Sequence, residues 1–367
     1  MHRSFPALFA WLFAVGAFAE EPPPADLAPY FTPPRELAAD LGDYRSPLKF
    51  ADGSAVKTPA DWKKRREELL ATWTKLLGER PAISPRPQWT ALSEERRDGL
   101  TQRQLRIEQA PGRQTEDCYL LMPEGKGPFP AVVVVFYDAK TGVGLGAKSH
   151  RDFALQLAKR GFVALSLGSA PESYFPNKEH SQLQPLAYHA LEATHARLIL
   201  AQLPEVDSAR IGVVGHSYGG KWSMFAAALD DQFAACATSD PGIVFDEKRS
   251  NVNYWERWYL GYEPGKERQP GMITEQNPRT GPYKAMREQG LDLHEIHALL
   301  APRPFLVSGG AEDPPERWKA LNHLRAVNQV LGFDHRAAMT NRKLHDPNEE
   351  SNAVLVRFFE HFLAAKK

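Results

Sequence analysis

Residues 210–221 read RIGVVGHSYGGK, and this stretch predicts both the fold and a reactive centre. The β-branched run at 211–214 indicates a strand, and the alanine-rich segment 222–229 indicates a helix. Between them lies a G-x-S-x-G pattern, which places Ser217 at the tip of a sharp turn, where larger flanking side chains would collide. A turn in which the serine only caps the helix is the simpler alternative. We predict that Ser217 is a nucleophile and that the amide of Tyr218 donates to an oxyanion at the helix N-terminus.

The composition is that of a globular protein. The 367 residues are 43% hydrophobic and 25% charged. With 45 basic and 45 acidic residues the formal net charge is +0, which argues against a nucleic-acid-binding protein. No Cys/His spacing resembles a zinc site, so we expect neither a metal nor an organic cofactor. Cys118 and Cys236 lie in apolar runs and are expected to be buried free thiols, although a secreted protein could pair them.

Residues 1–19 have the pattern of a cleaved signal peptide. A short basic start precedes the apolar stretch 5–18, and Ala-Phe-Ala then fits a cleavage site. Because that stretch is too short to span a bilayer comfortably, a membrane anchor is the weaker interpretation. We expect cleavage after Ala19 and a secreted or periplasmic protein that does not bind a membrane.

Strands and helices alternate along most of the chain. Predicted strands lie at 100–107, 117–122, 131–136, 162–167, 211–214, 233–238, 304–308 and 337–340. This order predicts an α/β fold, a mostly parallel sheet with helices on both faces, over residues 99–367. Residues 20–98 would form an N-terminal extension with an amphipathic helix at 59–77. Residues 239–302 break the alternation and are expected to form a cap inserted after the sixth predicted strand.

A nucleophilic serine needs a base and a group that orients the base. In a strand–turn–helix arrangement of this type the expected chain order is serine, acid, histidine, each in a loop after a strand. His345 follows the last strand and is the predicted base. Asp313 follows the preceding strand and is the predicted acid, although aspartate also suits a helix N-cap there. Glu312 is the near alternative and Asp240 the distant one.

The second oxyanion donor is expected from the loop after the strand at 131–136, as the amide of Tyr137 or Asp138. That loop has no H-G-G-G sequence, which argues against a lipase-type site. Together these groups predict two-step acyl transfer, in which the serine attacks an ester carbonyl and water then releases the acid.

The strand, sharp turn and helix around Ser217, which together form the elbow at 210–221, and the residues Asp313 and His345 resemble the α/β-hydrolase superfamily over residues 99–367. The tryptophan-bearing N-terminal helix and the segment VDSAR at 206–210 are similar to dienelactone-hydrolase-like and acetyl-xylan-esterase-like proteins. Members of these groups are often exported and act on carbohydrate esters. The resemblance implies a serine esterase acting on a small-molecule or polysaccharide ester. Dienelactone hydrolases proper use a cysteine nucleophile, so the serine argues against their reaction.

Glucuronoyl esterases give a looser resemblance. Their elbow reads Ser-Arg-x-Gly-Lys, and residues 217–221 keep the glycine and the lysine but have Tyr218 in place of the arginine. The lysine of that family contacts the sugar, which implies Lys221 as a substrate contact. Trp255 and Trp258 of the cap are further candidates for binding a sugar face. Their helical spacing suits a packed cap core at least as well.

Two other functions compete with an esterase. A serine peptidase of the prolyl-oligopeptidase type shares the elbow and the order of the triad, but it usually carries a large upstream domain for which the N-terminal extension is too short. A catalytically dead carbohydrate-binding hydrolase fold would not need serine, acid and histidine in that order. The acyl group, the alcohol and the oligomeric state stay open at this stage.

Overall fold

The computed structural model describes residues 20–169 and 183–364, and the predicted signal peptide lies outside these residues. The strands in the described part are β1 (Trp89–Arg97), β2 (Leu100–Ala110), β3 (Arg113–Thr115), β4 (Cys118–Met122), β5 (Phe129–Phe136), β6 (Val163–Gly168), β7 (Val206–His216), β8 (Ala235–Ser239), β9 (Phe305–Gly309) and β10 (Ala337–Asn341). The helices are α1 (Pro59–Leu77), α2 (Ala139–Gly142), α3 (Phe153–Ala158), α4 (Pro185–Leu200), α5 (Tyr218–Leu229), α6 (Gly281–Glu288), α7 (His294–Ala298), α8 (Trp318–Val330) and α9 (Glu349–Leu363). Short 3₁₀ turns lie at Ala28–Phe31, Arg35–Leu37 and Pro315–Arg317.

All ten of these strands belong to one sheet, in the order β1-β2-β4-β6-β5-β7-β8-β9-β10, with β3 beside β2. Neighbouring strands are parallel along the part of the sheet that runs β6-β5-β7-β8-β9-β10. The pairs β1–β2, β2–β3, β2–β4 and β4–β6 are antiparallel. Apolar clusters cover both faces, with α1, α4 and α5 on one face and α3 and α9 on the other. The predicted α/β fold is confirmed. Because β7 to β10 are parallel neighbours, the loops that follow them meet at one edge.

The first strand of the sheet was not predicted. β1 lies within the segment assigned to the N-terminal extension, and seven of its nine residues are exposed. As an edge strand with a polar sequence it lacks the apolar alternation that would reveal it. Because β1 and β3 add two strands to those predicted, the strand that precedes the predicted cap is β8 and not the sixth strand. The residues between β8 and β9 form α6, α7 and turns.

The amphipathic helix of the extension forms as predicted and fixes the extension to the domain. A capping box between Thr58 and Asp61 starts α1, and Trp62, Leu69 and Trp73 on one face are buried. The indole of Trp73 donates to the buried carboxylate of Glu295 at 3.1 Å. Across the described residues, we find no helix with the length and apolar composition required to cross a bilayer.

The two cysteines are buried free thiols on β4 and β8, as predicted. In the sheet order these strands are separated by β6, β5 and β7. Four strand spacings amount to roughly 19 Å, far beyond the Cα separation that a disulfide allows. Cys118 and Cys236 therefore cannot pair in this fold.

His297 on α7 gives the fold a specific dependence on pH. Its side chain is fully buried, and burial, followed by the neighbouring imidazoles of His294 and His323, lowers its pKa to about 3. Because the unfolded chain binds this proton near pH 6.5 and the folded chain does not until about pH 3, the proton has no effect on stability above pH 6.5 and destabilises the fold as the pH falls below it.

We expect His297→Leu to reduce the loss of stability between pH 7.5 and pH 5.0 by about 2 kcal/mol relative to the parent protein. Urea unfolding at the two pH values measures this difference. An unchanged difference would mean that His297 is not buried in its neutral form.

Candidate active site

The turn after β7 holds Ser217 in a strained conformation, with φ 55° and ψ −111°. A side chain at either flanking glycine would overlap the backbone. A Cβ at Gly215 would lie 2.1 Å from the carbonyl oxygen of Gly219, and one at Gly219 would lie 2.0 Å from that of Val135. The Ser217 amide donates to the carbonyl of Ser239 at 2.7 Å, which ties the turn to the end of β8. Strain held by close packing is typical of a functional turn.

The structure brings Ser217, His345 and Asp240 together. His345 Nε2 lies 2.9 Å from Ser217 Oγ, and His345 Nδ1 lies 2.7 Å from Asp240 Oδ2. The Asp240 side chain is fully buried, whereas that of His345 is 26% exposed. With a carboxylate at Nδ1, the imidazole carries its proton there and leaves Nε2 free to accept the serine proton. This is the geometry of a nucleophile, its base and an orienting acid.

The prediction that Asp313 orients His345 is wrong in this structure. The Asp313 carboxylate instead accepts the amides of Gly242 at 2.8 Å and Ile243 at 2.6 Å. Asp240 lies at the end of β8, the strand beside β7, with φ 51°, whereas Asp313 lies beyond the next strand, β9. The acid nearer to the serine in the sheet therefore meets the imidazole.

Glu312, the other alternative, is also placed away from His345. Its Oε1 accepts from the side-chain amide of Asn251 at 2.8 Å. Its backbone amide donates to Asp240, together with the amides of Gly310 at 2.7 Å and Asp313 at 2.8 Å. The loop after β9 thus contributes backbone donors to the acid and not the acid itself.

Two buried carboxyl groups lie close together at this edge, and their surroundings differ. Burial, followed by the charge of Asp240, raises the pKa of Asp313 to about 7. Asp240 instead accepts three backbone amides and faces the imidazole of His345. The carboxyl group with the raised pKa is therefore the one that does not contact the base.

Arg342, which the sequence analysis did not identify, anchors the histidine loop. Its guanidinium donates to the carbonyl of Ser308 at 2.7 Å, to Ser239 Oγ at 3.1 Å and to the carbonyl of His345. It also donates to the carbonyl of Asp346 at 2.8 Å. One side chain therefore joins the ends of β8 and β9 to the backbone of His345 and Asp346.

We expect Arg342→Ala to lower kcat by about 100-fold, because small displacements of a catalytic group have effects of this size. KM should change little, since the guanidinium holds the loop and not the substrate. Lys343→Ala, an exposed neighbour in the same loop, is the control and should retain activity. Ester hydrolysis assays at saturating substrate measure the effect, and an active Arg342→Ala enzyme would contradict the anchoring role.

Both predicted oxyanion donors lie beside the serine turn. Tyr218 is the first residue of α5, and Tyr137 immediately follows β5, the neighbour of β7. Their rings stack with centroids 4.6 Å apart and an interplanar angle of 21°. Asp138, the alternative donor, uses its side chain to cap α2 by accepting from the amide of Thr141 at 2.8 Å. The two tyrosines therefore flank the serine, and their role as donors stays a prediction.

The predicted sugar contact of Lys221 does not fit its position. The side chain is 2% exposed, and its ammonium donates to the carbonyl of Asn251 at 2.8 Å. It also lies 5.0 Å from the ring centroid of Tyr254 and 5.3 Å from that of Tyr259. Burial lowers its pKa to about 8. Lys221 therefore packs beneath the inserted segment, where charge and aromatic faces attract each other.

The two cap tryptophans have different surroundings. Trp255 is 1% exposed and its indole donates to the carbonyl of Gly271 at 2.9 Å, so it belongs to the core of the inserted segment and not to a sugar-binding face. Trp258 is half-buried and packs against the same core. Only Trp258 of this pair keeps a surface that a ligand could touch.

The fold and this site place the chain in the α/β-hydrolase superfamily. The family model described as the dienelactone hydrolase family matches residues 117–242, and that of the prolyl oligopeptidase family matches residues 193–315. Both segments contain Ser217 and Asp240. Neither extends to His345.

Among curated proteins, the chain is similar to the carbohydrate esterase MZ0003 from an unknown prokaryotic organism, with 25% identity over 162 residues. The match covers 40% of this chain and 32% of that protein, so the matched segment spans about a third of the length of the relative.

The solved structures that share the fold include two glucuronoyl esterases. A glucuronoyl esterase from Solibacter usitatus is 18% identical with a TM-score of 0.67, covering 87% of this chain and 97% of that chain. The glucuronoyl esterase of Sporotrichum thermophile, in complex with methyl 4-O-methyl-β-D-glucopyranuronate, is 15% identical with a TM-score of 0.56, covering 88% of each chain.

Proposed function

We propose that this protein is a secreted serine esterase that hydrolyses carboxylic esters of carbohydrates. The observation that carries the proposal is the hydrogen-bonded series from Ser217 Oγ through His345 to Asp240, with distances of 2.9 and 2.7 Å. A serine hydroxyl that shares its proton with an oriented imidazole is suited to attack an ester carbonyl. The similarity to a carbohydrate esterase and to glucuronoyl esterases supports the sugar as part of the substrate.

The reaction follows from the positions of these groups. His345 Nε2 takes the proton as Ser217 Oγ attacks the carbonyl carbon, and the buried Asp240 carboxylate stabilises the imidazolium. The amides of Tyr218 and Tyr137 hold the oxyanion. Imidazolium then protonates the leaving alcohol, and an acyl-serine remains. Water, deprotonated by His345, releases the acid and restores the serine.

Within this class, we assign the ester of a uronic acid as the first substrate to test, ahead of acetylated xylan. The support is the pair of glucuronoyl esterases with this fold, one of which binds a methyl uronate. The replacement of their elbow arginine by Tyr218 distinguishes this chain from that family's motif. An acetyl-xylan-esterase activity is the alternative within the same chemistry.

The proposal is tested with a panel of methyl glucuronate esters, acetylated xylan, feruloyl esters, p-nitrophenyl acetate and aminoacyl-proline anilides. We expect hydrolysis of sugar esters and of the aryl ester, no cleavage of the anilides, and no activity in Ser217→Ala. Cleavage of the anilides alone would instead indicate a peptidase. Unchanged hydrolysis of these substrates by Ser217→Ala would contradict the assignment of Ser217 as the nucleophile.

The half-buried Trp258 gives a prediction about substrate size. We expect Trp258→Ala to lower kcat/KM on polymeric sugar esters about tenfold through loss of ring–sugar contact, and to leave p-nitrophenyl acetate hydrolysis within twofold. Trp255→Phe, a change in the core of the same segment, is the comparison. Equal losses on both substrates would argue for a packing role of Trp258.

Export is part of the proposal. The side chain of Glu20, the first residue after the predicted cleavage site, accepts the amides of Asp334 at 2.6 Å and His335 at 3.0 Å. A chain that begins at Glu20 would therefore still have its start fixed to the domain. N-terminal sequencing of protein recovered from the periplasm or medium should begin at this glutamate, and retention of residues 1–19 would contradict cleavage there.

A further inference from the structure

A series of buried polar side chains lies directly beneath the nucleophile turn. The phenol of Tyr218 is hydrogen-bonded to His189 Nε2, and His189 Nδ1 lies 2.8 Å from Glu192 Oε2. All three side chains are fully buried, and His189 and Glu192 are one turn apart on α4. With Nδ1–H donating to the carboxylate, Nε2 accepts the phenol proton. The residue next to the nucleophile is therefore bonded to a histidine–carboxylate pair on another helix.

The same histidine holds the first turn of α5 at a second point. The indole of Trp222 donates to the carbonyl of His189. Tyr218 and Trp222 are four residues apart and so lie on one face of α5. The ring of His189 is perpendicular to that of Tyr218, with centroids 5.3 Å apart, and lies 4.8 Å from that of Trp222. Two directional bonds to one residue fix both the position and the rotation of this turn.

On its other side the ring of Tyr218 stacks on that of Tyr137. The stack therefore joins the two residues whose amides are assigned to the oxyanion. Tyr137 is 46% exposed, whereas Tyr218 is fully buried and bonded to His189. The stack therefore places the more exposed ring of Tyr137 against a buried one that is held by a hydrogen bond.

We propose that Glu192, His189 and the phenol of Tyr218 are positioning residues that hold the two oxyanion amides in register with Ser217. The inference rests on the proposed esterase function. Burying a carboxylate and an imidazole is unfavourable unless their bonds are satisfied, whereas an apolar contact would pack without that penalty. Unlike an apolar contact, the hydrogen bonds of this polar series also fix the orientation of the groups that they join. Donors that face the oxyanion must be fixed before the reaction, and their effect appears in the transition state and not in substrate binding.

The test compares Tyr218→Phe, His189→Leu and His189→Gln. Tyr218→Phe keeps the ring and its stack on Tyr137 and removes the phenol oxygen that is bonded to His189. We expect it to lower kcat on p-nitrophenyl acetate about tenfold with KM within twofold, since complete loss of one oxyanion donor costs 10²–10³. His189→Leu should show at least the same loss, and His189→Gln, whose amide oxygen can accept the phenol proton, should recover part of it.

Tyr283→Phe is the matched control, because it removes a buried phenol that donates to Glu247 at 2.9 Å, outside the serine turn. It should retain kcat. Unchanged kcat in Tyr218→Phe, or equal kcat in His189→Leu and His189→Gln, would overturn the inference. If Tyr218→Phe does not fold, the comparison of kcat between His189→Leu and His189→Gln tests the inference. If these variants also fail to fold, the three side chains serve only to stabilise the fold, and the inference is overturned.

Different results would overturn the proposed esterase function and the proposed positioning role. An unmodified protein that hydrolyses no ester overturns the esterase proposal. An active unmodified protein whose Tyr218→Phe variant is equally fast overturns only the positioning role.

Discussion

Asp240→Asn should lower kcat by about 10⁴-fold, or roughly 5.5 kcal/mol in activation free energy. Asp240 Oδ2 accepts from His345 Nδ1 at 2.7 Å, and an amide nitrogen at that position would favour the tautomer that carries its proton on Nε2. That tautomer cannot take the serine proton. KM should change little, because the carboxylate is fully buried and its partners are the imidazole and backbone amides.

Asp313→Asn is the matched comparison. It changes a buried carboxylate at the neighbouring strand end, and its partners are the amides of Gly242 and Ile243. We expect this variant to lower kcat by about tenfold or less, because the loop that carries Asp240 would move slightly. Steady-state kinetics on one aryl ester measure both variants. A loss of about 10⁴-fold in Asp313→Asn with a mild effect in Asp240→Asn would reverse the assignment of the acid.

Gly219→Ala should destabilise the protein by about 3 kcal/mol and abolish most activity. Within a helix, alanine is usually favoured over glycine by up to about 1 kcal/mol, and Gly219 is the second residue of α5, so the expected sign is opposite to helix propensity. The reason is the 2.0 Å approach of a Cβ at this position to the carbonyl oxygen of Val135 on β5. Relief of that overlap requires α5 to move away from the sheet, which displaces the Tyr218 amide.

Urea unfolding measures the stability of this variant, and ester hydrolysis measures its activity. Gly161→Ala is the control, because Gly161 has φ 88° and open space around its Cβ position. It should lose about 1–2 kcal/mol from backbone strain alone and keep its activity. A Gly219→Ala protein as stable and active as the parent would show that the close approach is not required.

The elbow could be predicted from the sequence because its cause is local. A strand, a turn with a glycine on each side of Ser217, and a helix follow one another directly and leave few conformations. The structure shows the overlaps that exclude larger side chains at Gly215 and Gly219. The position of His345 followed from the order of the loops in a parallel sheet, since β10 ends at the same edge as β7. The fold was confirmed for the same reason, because its apolar strands alternate with helices.

The acid could not be chosen from the sequence. Asp240 and Asp313 both follow buried strands that end at the same edge, and only the three-dimensional arrangement shows which carboxylate faces the imidazole. The role of Arg342 could not be predicted because an arginine in a polar loop usually faces solvent. Its bonds to β8 and β9 exist only once the sheet has formed. β1 was missed because an exposed edge strand has no apolar period.

The central claim is that the Ser217 hydroxyl is activated by His345 and Asp240. Reaction of the intact protein with a fluorophosphonate, followed by peptide mass spectrometry, tests this claim most directly. We predict one adduct per chain, on Ser217, formed much more slowly in Asp240→Asn and absent in Ser217→Ala. A folded protein that forms no adduct, or forms one on another serine at the same rate in all three proteins, would contradict the account.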